Sequence, residues 1–200
     1  MNFYKKHPGY RMLLKEISAR YGKDTADKIC ADALRGLDAL QREYSVLPER
    51  VKYHTDKNIF PRIAIYRVMQ REMPGDALAL LDSASRKVGR RLNRLFRFIT
   101  AFPGMPGVFV RTFASMEKKL FGEPAGFSRI YHVDTPREIR FDITHCPYCE
   151  YCEKCGCPEL AATFCRSDIY CYGGMPHIAF DRTETLGTGG TRCDFRIAAR

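Results

Sequence analysis

Apolar positions recur at helical spacing through the first half of the chain and alternate in the second. In residues 10–21, Leu13, Leu14 and Ile17 fall on one side of a short helix, which Gly22 interrupts. Residues 24–46 resume the period through Ala26, Ile29, Ala33, Leu37 and Leu40, and Pro48 closes the element. Residues 51–60 read as a polar connector, and Pro61 opens a helix over roughly 62–72, where its missing N–H costs nothing. Pro74-Gly75-Asp76 is a turn, with Asp76 placed as the N-cap of the next helix. There Leu78, Leu81, Ser85, Val88, Leu92, Leu95, Phe96 and Ile99 form one stripe with arginines opposite, and the pattern predicts burial along its whole length. Pro103-Gly104 and Pro106-Gly107 end it near Phe102, and residues 108–121 form a further helix stopped by Gly122 and Pro124.

Beyond residue 126 the period falls to two. Residues 127–133 and 138–144 read as a hairpin, with Ile139, Phe141 and Ile143 alternating against Arg140, Asp142 and Thr144. A second pair, 178–186 and 191–198, is joined by Gly187-Thr188-Gly189-Gly190, and Cys193, Phe195 and Ile197 share a face of the last strand. The expected fold is α+β: a helical N-terminal half on a roughly four-stranded antiparallel sheet, with a cysteine-rich helical insert. One domain is expected over 1–200, mainly helical in 1–122 and sheet-forming in 123–200, with the insert at 145–171.

Composition narrows the class. The chain is 45% hydrophobic over 200 residues, with 11 Tyr and 13 Phe, which excludes a mainly disordered chain. No run approaches the ~20 apolar residues of a membrane span, and no apolar segment follows the N-terminal lysines as in a secretory signal, so a cytoplasmic location is expected. The net charge of +10 is uneven. Residues 1–140 carry 27 Lys and Arg against 15 Asp and Glu, residues 141–200 carry 6 against 8, and no acid occurs from 83 to 116. The block Arg86, Lys87, Arg90, Arg91, Arg94, Arg97 is either a solvated helix face or a weak docking site for an anionic surface or partner. No nucleic-acid motif accompanies it, and nucleic acid is not an expected partner.

Eight of nine cysteines lie between Cys146 and Cys193, where a reducing compartment would favour metal ligation, redox chemistry or a nucleophile. No permanent cofactor is expected. The alternative is zinc on Cys149, Cys152, Cys155 and Cys157, although four thiols in so short a loop would not easily surround one ion, and Cys165, Cys171 or Cys193 would have to complete the set. The run also approaches the ferredoxin pattern, but its last spacing differs. His145 beside it is equally well a hydrogen-bonded surface residue. A second grouping unites Cys146, at the end of the second strand, with Cys165 after a short helix (Glu159–Phe164), Asp168, and Cys193 on the last strand. A carboxylate raises the pKa of a neighbouring thiol, so Arg166, Arg182, Arg192 or a helix N-terminus would have to depress it. Cys165 and Cys193 read equally as small buried hydrophobes.

Cys146-Pro147, Cys165-Arg166-Ser167-Asp168, Phe180-Asp181-Arg182-Thr183-Glu184-Thr185-Leu186, Gly189 and Cys193-Asp194-Phe195-Arg196-Ile197 together resemble the L-2-amino-thiazoline-4-carboxylic acid hydrolase family, a bacterial family. Gly190 stands where the family carries an acid, and Cys149, Cys152, Cys155, Cys157 and Cys171 are additions to its pattern. The resemblance implies ring opening of a cyclic amidine, with Cys165 as nucleophile, Asp168 as general base or amidinium partner, and Cys146 or Cys193 as substitute nucleophile. Arg182 would then clamp the substrate carboxylate, with Thr183 and Asp194 beside it holding the hairpin. More distantly the family resembles small-ligand-binding domains, which implies the alternative of a non-catalytic ligand-binding or metal- or redox-sensing domain.

Overall fold

The computed structural model describes residues 2–200. Six helices occupy the first hundred residues: α1 (Phe3–Lys6), α2 (Pro8–Tyr21), α3 (Lys23–Glu43), α4 (Glu49–His54), α5 (Phe60–Glu72) and α6 (Ala77–Thr100). After α7 (Met105–Leu120) come β1 (Ser128–Asp134), β2 (Glu138–His145), α8 (Pro147–Lys154), α9 (Ala161–Tyr172), β3 (Ile178–Asp181) and β4 (Cys193–Ala199). The fold is α+β, with the helical half packed on a four-stranded antiparallel sheet and α8 and α9 inserted between its hairpins. No helix among the described residues is long and apolar enough to cross a membrane.

The helical half closes around Ile29, Ala33, Leu37 and Leu40 of α3, and Ile63, Ile65, Tyr66 and Met69 of α5. Each Ile, Leu or Met among them contributes about 1.5–3 kcal/mol by leaving water. Tyr4 plugs this core from α1, and its hydroxyl donates to the Pro61 carbonyl at 2.8 Å. The connector expected at 51–60 is helical. His54, Thr55 and Ile59 are buried at helical spacing, and His54 lies 2.7 Å from the Leu120 carbonyl and 3.1 Å from the Tyr148 hydroxyl. One π-turn (Thr55–Ile59) joins α4 to α5, closed by Phe60 N–H on the Thr55 carbonyl. This wider turn directly precedes Pro61, whose ring would clash with the carbonyl four residues back in a regular helix.

Two further expectations are corrected in this half. Asp76 does not cap α6, because its carboxylate accepts the Tyr21 hydroxyl and pairs with Arg20 at 3.7 Å. The stripe on α6 is covered along its first half, where Leu81 is enclosed, but splits in the second: Leu92 and Leu95 are exposed, whereas Phe96 packs on Phe109 and Tyr172. The α2 helix that covers the first half is shorter than α6 and leaves the Leu92–Leu95 flank uncovered.

The strand order is β1-β2-β4-β3. In β2 and β4, Ile139 faces Ile197, Phe141 faces Phe195 and Ile143 faces Cys193, and the two phenylalanine rings stack at 5.1 Å. These side chains meet Val110 and Phe113 of α7 in a second core. β3 stops at Asp181, so residues 182–192 form a loop where a longer strand was expected. The helix expected to end before Cys165 runs from Ala161 to Tyr172, which places Cys165 and Asp168 on one helix three residues apart.

Candidate functional site

Between the two cores lies a cavity of about 380 Å³, a volume within the range of small-molecule sites. Its wall is mainly apolar and aromatic, with Phe141 and Phe195 from the sheet, Phe164 and Tyr172 from α9, Tyr148 from α8 and Phe113 from α7. Cys146, Cys165, Asp168, Arg182 and Cys193 all line it, so the folded chain brings this sequence-predicted set together. Thr183 and Asp194 do not reach it. Asp194 instead accepts the N–H groups of Thr183 and Glu184 at 2.9 and 2.8 Å and the Thr183 hydroxyl at 2.6 Å, which closes the 182–192 loop.

Arg182 begins that loop and turns its guanidinium towards α9. It donates to Asp168 Oδ2 and to the Cys165 carbonyl, both at 2.7 Å, and its side chain is only 3% exposed. Desolvation raises the Asp168 carboxyl to about 6, against the opposing pull of Arg182. The Cys165 thiol is shifted the other way, down to about 6. The Cys193 thiol donating to it is the largest cause, followed by the Thr185 hydroxyl, the Arg182 charge and the Gly187 N–H, with burial opposing. Cys193 is raised in turn by the same contact, and its sulfur accepts the Leu186 N–H at 3.3 Å. The loop backbone at Leu186–Gly187 thus holds both sulfurs, and a Cβ on Gly187 would lie 2.7 Å from Cys165 Sγ.

The remaining thiols divide differently. Cys146 is hydrogen-bonded to Cys149, which with burial raises its pKa. Cys152 and Cys157 are free thiols hydrogen-bonded to each other, and with Cys155 they are buried in the helical core. Among the described residues no three His, Cys, Asp or Glu side chains converge as a metal-binding group, so Cys149, Cys152, Cys155 and Cys157 do not form the zinc set weighed above. The physical reason is that α8 carries two of them, Cys149 and Cys152, while Cys155 and Cys157 follow its end, and Cys152, Cys155 and Cys157 are held in apolar packing. His145 pairs with Glu150 at 3.0 Å.

Sequence reasoning missed the cation at the cavity rim. Arg62 lies on α5 with its guanidinium 4.0 Å from the centre of the Phe164 ring, and it has no ion-pair carboxylate among the described residues. Lys57 stands beside it on the π-turn. The available signal was an arginine inside the otherwise apolar run from Phe60 to Tyr66.

Comparison of the structure with solved structures finds two H-NOX proteins. One is the crystal structure of the Fe(II) unliganded H-NOX protein from K. algicida, at 11% identity and a TM-score of 0.39, with 97% of each chain covered. The other is from a study of heme distortion in the H-NOX family, at 13% identity and a TM-score of 0.30, with 94% of this chain and 92% of that chain covered. No curated protein is found to match the sequence.

Amidine hydrolysis, the activity implied by the resemblance, is corrected. The site itself does not present the required groups free. The Asp168 carboxylate and the Arg182 guanidinium satisfy each other, which leaves neither an unpaired base nor an unpaired clamp. The Cys165 sulfur meets another thiol in place of a base able to return a proton to a leaving group. Lineage is a separate matter from activity: the model of the L-2-amino-thiazoline-4-carboxylic acid hydrolase family matches residues 52–197, and the chain belongs to that family.

Proposed function

We propose that this protein is a non-catalytic small-ligand-binding domain whose cavity takes a compact, largely apolar carboxylate. The observation that carries the reading is Arg62 stacked on Phe164, a cation without a carboxylate partner at the rim of an aromatic-walled cavity. The stacked, weakly hydrated guanidinium presents a planar fork to an incoming acid group. Lys57 adds charge at the rim, the aromatic wall takes the apolar body, and Cys146, Cys165, Asp168, Arg182 and Cys193 form the polar floor.

The test is a titration with 1-anilinonaphthalene-8-sulfonate, an aromatic anion of this character, followed by displacement with decanoate. One saturable site, weakened about tenfold in Arg62→Ala, supports the reading, since a charged hydrogen bond contributes about 1.5–3 kcal/mol. Absence of a saturable site overturns it. Incubation with 2-amino-thiazoline-4-carboxylate should leave that compound unchanged.

The Cys165–Cys193 contact favours a second, redox-responsive reading. A small disulfide would oxidise the two thiols to one disulfide and leave as two thiols. Peptide mapping after such treatment should recover Cys165 joined to Cys193 ahead of every other pairing. As further partners and setting, we assign residues 86–99 a weak affinity for anionic surfaces, and a cytoplasmic location to a chain with nine free thiols.

A further inference from the structure

We propose that the far end of α6 is a monotopic membrane-docking ridge, which inserts apolar side chains into an anionic bilayer while its arginines hold the headgroups. This rests on the anionic-surface reading above and goes beyond it, because it assigns the apolar residues the anchoring role. Leu92, Leu95 and Phe98 lie on one side of the helix, and Phe102 extends the line past its end. Phe98 is 66% exposed and Phe102 52%, with their rings edge to face at 5.4 Å. The same helix turns carry Arg90, Arg91, Arg94 and Arg97, none of which has an ion-pair carboxylate among the described residues. Arg97 donates only to the Gly174 carbonyl.

Solvated arginines alone would need no neighbouring phenylalanines, and an exposed apolar ridge alone would fit a protein partner. Together they have the makeup of an interfacial helix: Arg90, Arg94 and Arg97 flank the apolar line, Arg91 sits within it, and the overall hydropathy is modest. A second copy of the chain fits poorly, because a two-fold contact over this ridge would set the arginines of both copies together. An anionic lipid surface satisfies both halves at once, with roughly a fivefold gain per arginine near the surface.

The full chain should sediment with vesicles of equal phosphatidylcholine and phosphatidylglycerol at low salt and stay in solution with phosphatidylcholine alone. Leu95→Ser with Phe98→Ser should weaken that binding by roughly tenfold or more, the effect of keeping such side chains out of the bilayer. Both positions are exposed, and circular dichroism checks that the variant is folded. The chain has no tryptophan, so Phe98→Trp is a single-site reporter whose emission should shift to the blue on anionic vesicles. Absence of binding at low salt overturns both the ridge and the anionic-surface reading. Salt-sensitive binding with no effect of the serine changes and no blue shift overturns the ridge alone. A concentration-dependent dimer abolished by Phe98→Ser, or equal binding to polyglutamate, assigns the ridge to another occupant and overturns the proposal.

Discussion

Asp168 and Arg182 meet at 2.7 Å across the seam between α9 and the end of β3, on the floor of the cavity. The pair sets part of the charge on the cavity wall. Above pH about 6 both the Asp168 carboxylate and the Cys165 thiolate are negative, and they offset Arg182 and the rim cations. As pH falls through about 6, both take up a proton and Arg182 loses its counter-ion.

Affinity for an anionic ligand should therefore rise on acidification. Titration of 1-anilinonaphthalene-8-sulfonate at pH 7.5 and 5.5 (roughly one and a half units above and half a unit below the midpoint) checks the sign. Asp168→Asn should raise affinity at the higher pH and flatten the dependence. A pH profile identical in wild type and Asp168→Asn would remove Asp168 from ligand binding.

Cys165 should be the thiol that reacts first. Alkylation by iodoacetamide, read by peptide mass spectrometry, should show a midpoint at pH about 6 for Cys165, while burial holds Cys171 near 11. Gly187→Ala places a methyl group on the sulfur and should move the Cys165 midpoint upward. A depressed thiol stabilises the folded state most above its unfolded pKa, so this contribution should fade as pH falls from about 9 to about 6.

Glu117 is buried on α7, and its pKa is raised by that burial against the pull of Arg129 and Tyr131. Arg129→Ala would leave the buried carboxylate with the Tyr131 hydroxyl but without its counter-ion, at a cost of about 3–5 kcal/mol. Urea denaturation should show that loss, and adding Glu117→Gln should recover most of it.

Gly89 lies where α6 packs tightly against α9. An added Cβ would lie 2.5 Å from Tyr170 Cβ and 3.1 Å from its carbonyl carbon, so the helices would have to part. Gly89→Ala should destabilise the protein by about 1–3 kcal/mol in the same assay, against the usual gain from replacing a helical glycine.

The fold was legible wherever one face of an element is buried along its whole length. The apolar positions of α3 and the Ile139–Phe141–Ile143 alternation of β2 read directly from their periods. The α6 stripe misled because periodicity marks a face without marking how far a partner extends, and α2 runs out before Leu92. The connector at 51–60 misled because its polar residues share helical turns with His54, Thr55 and Ile59, which only the packed neighbours bury. At the site, Cys146, Cys165, Asp168 and Cys193 were legible as a group because returning strands bring their ends together. The engagement of Arg182 by Asp168, and the placing of Arg62 over Phe164, depend on side-chain directions that spacing does not encode.

Decanoate seated at Arg62 should be visible in carbon-13 NMR of the carboxyl-labelled acid with the full chain. One saturable bound carboxyl resonance is expected, shifted from the free position and lost or moved in Arg62→Ala, with total signal constant over time. A carboxyl resonance that stays at the free position at every protein concentration, or one bound identically by Arg62→Ala, would overturn the proposed Arg62 site.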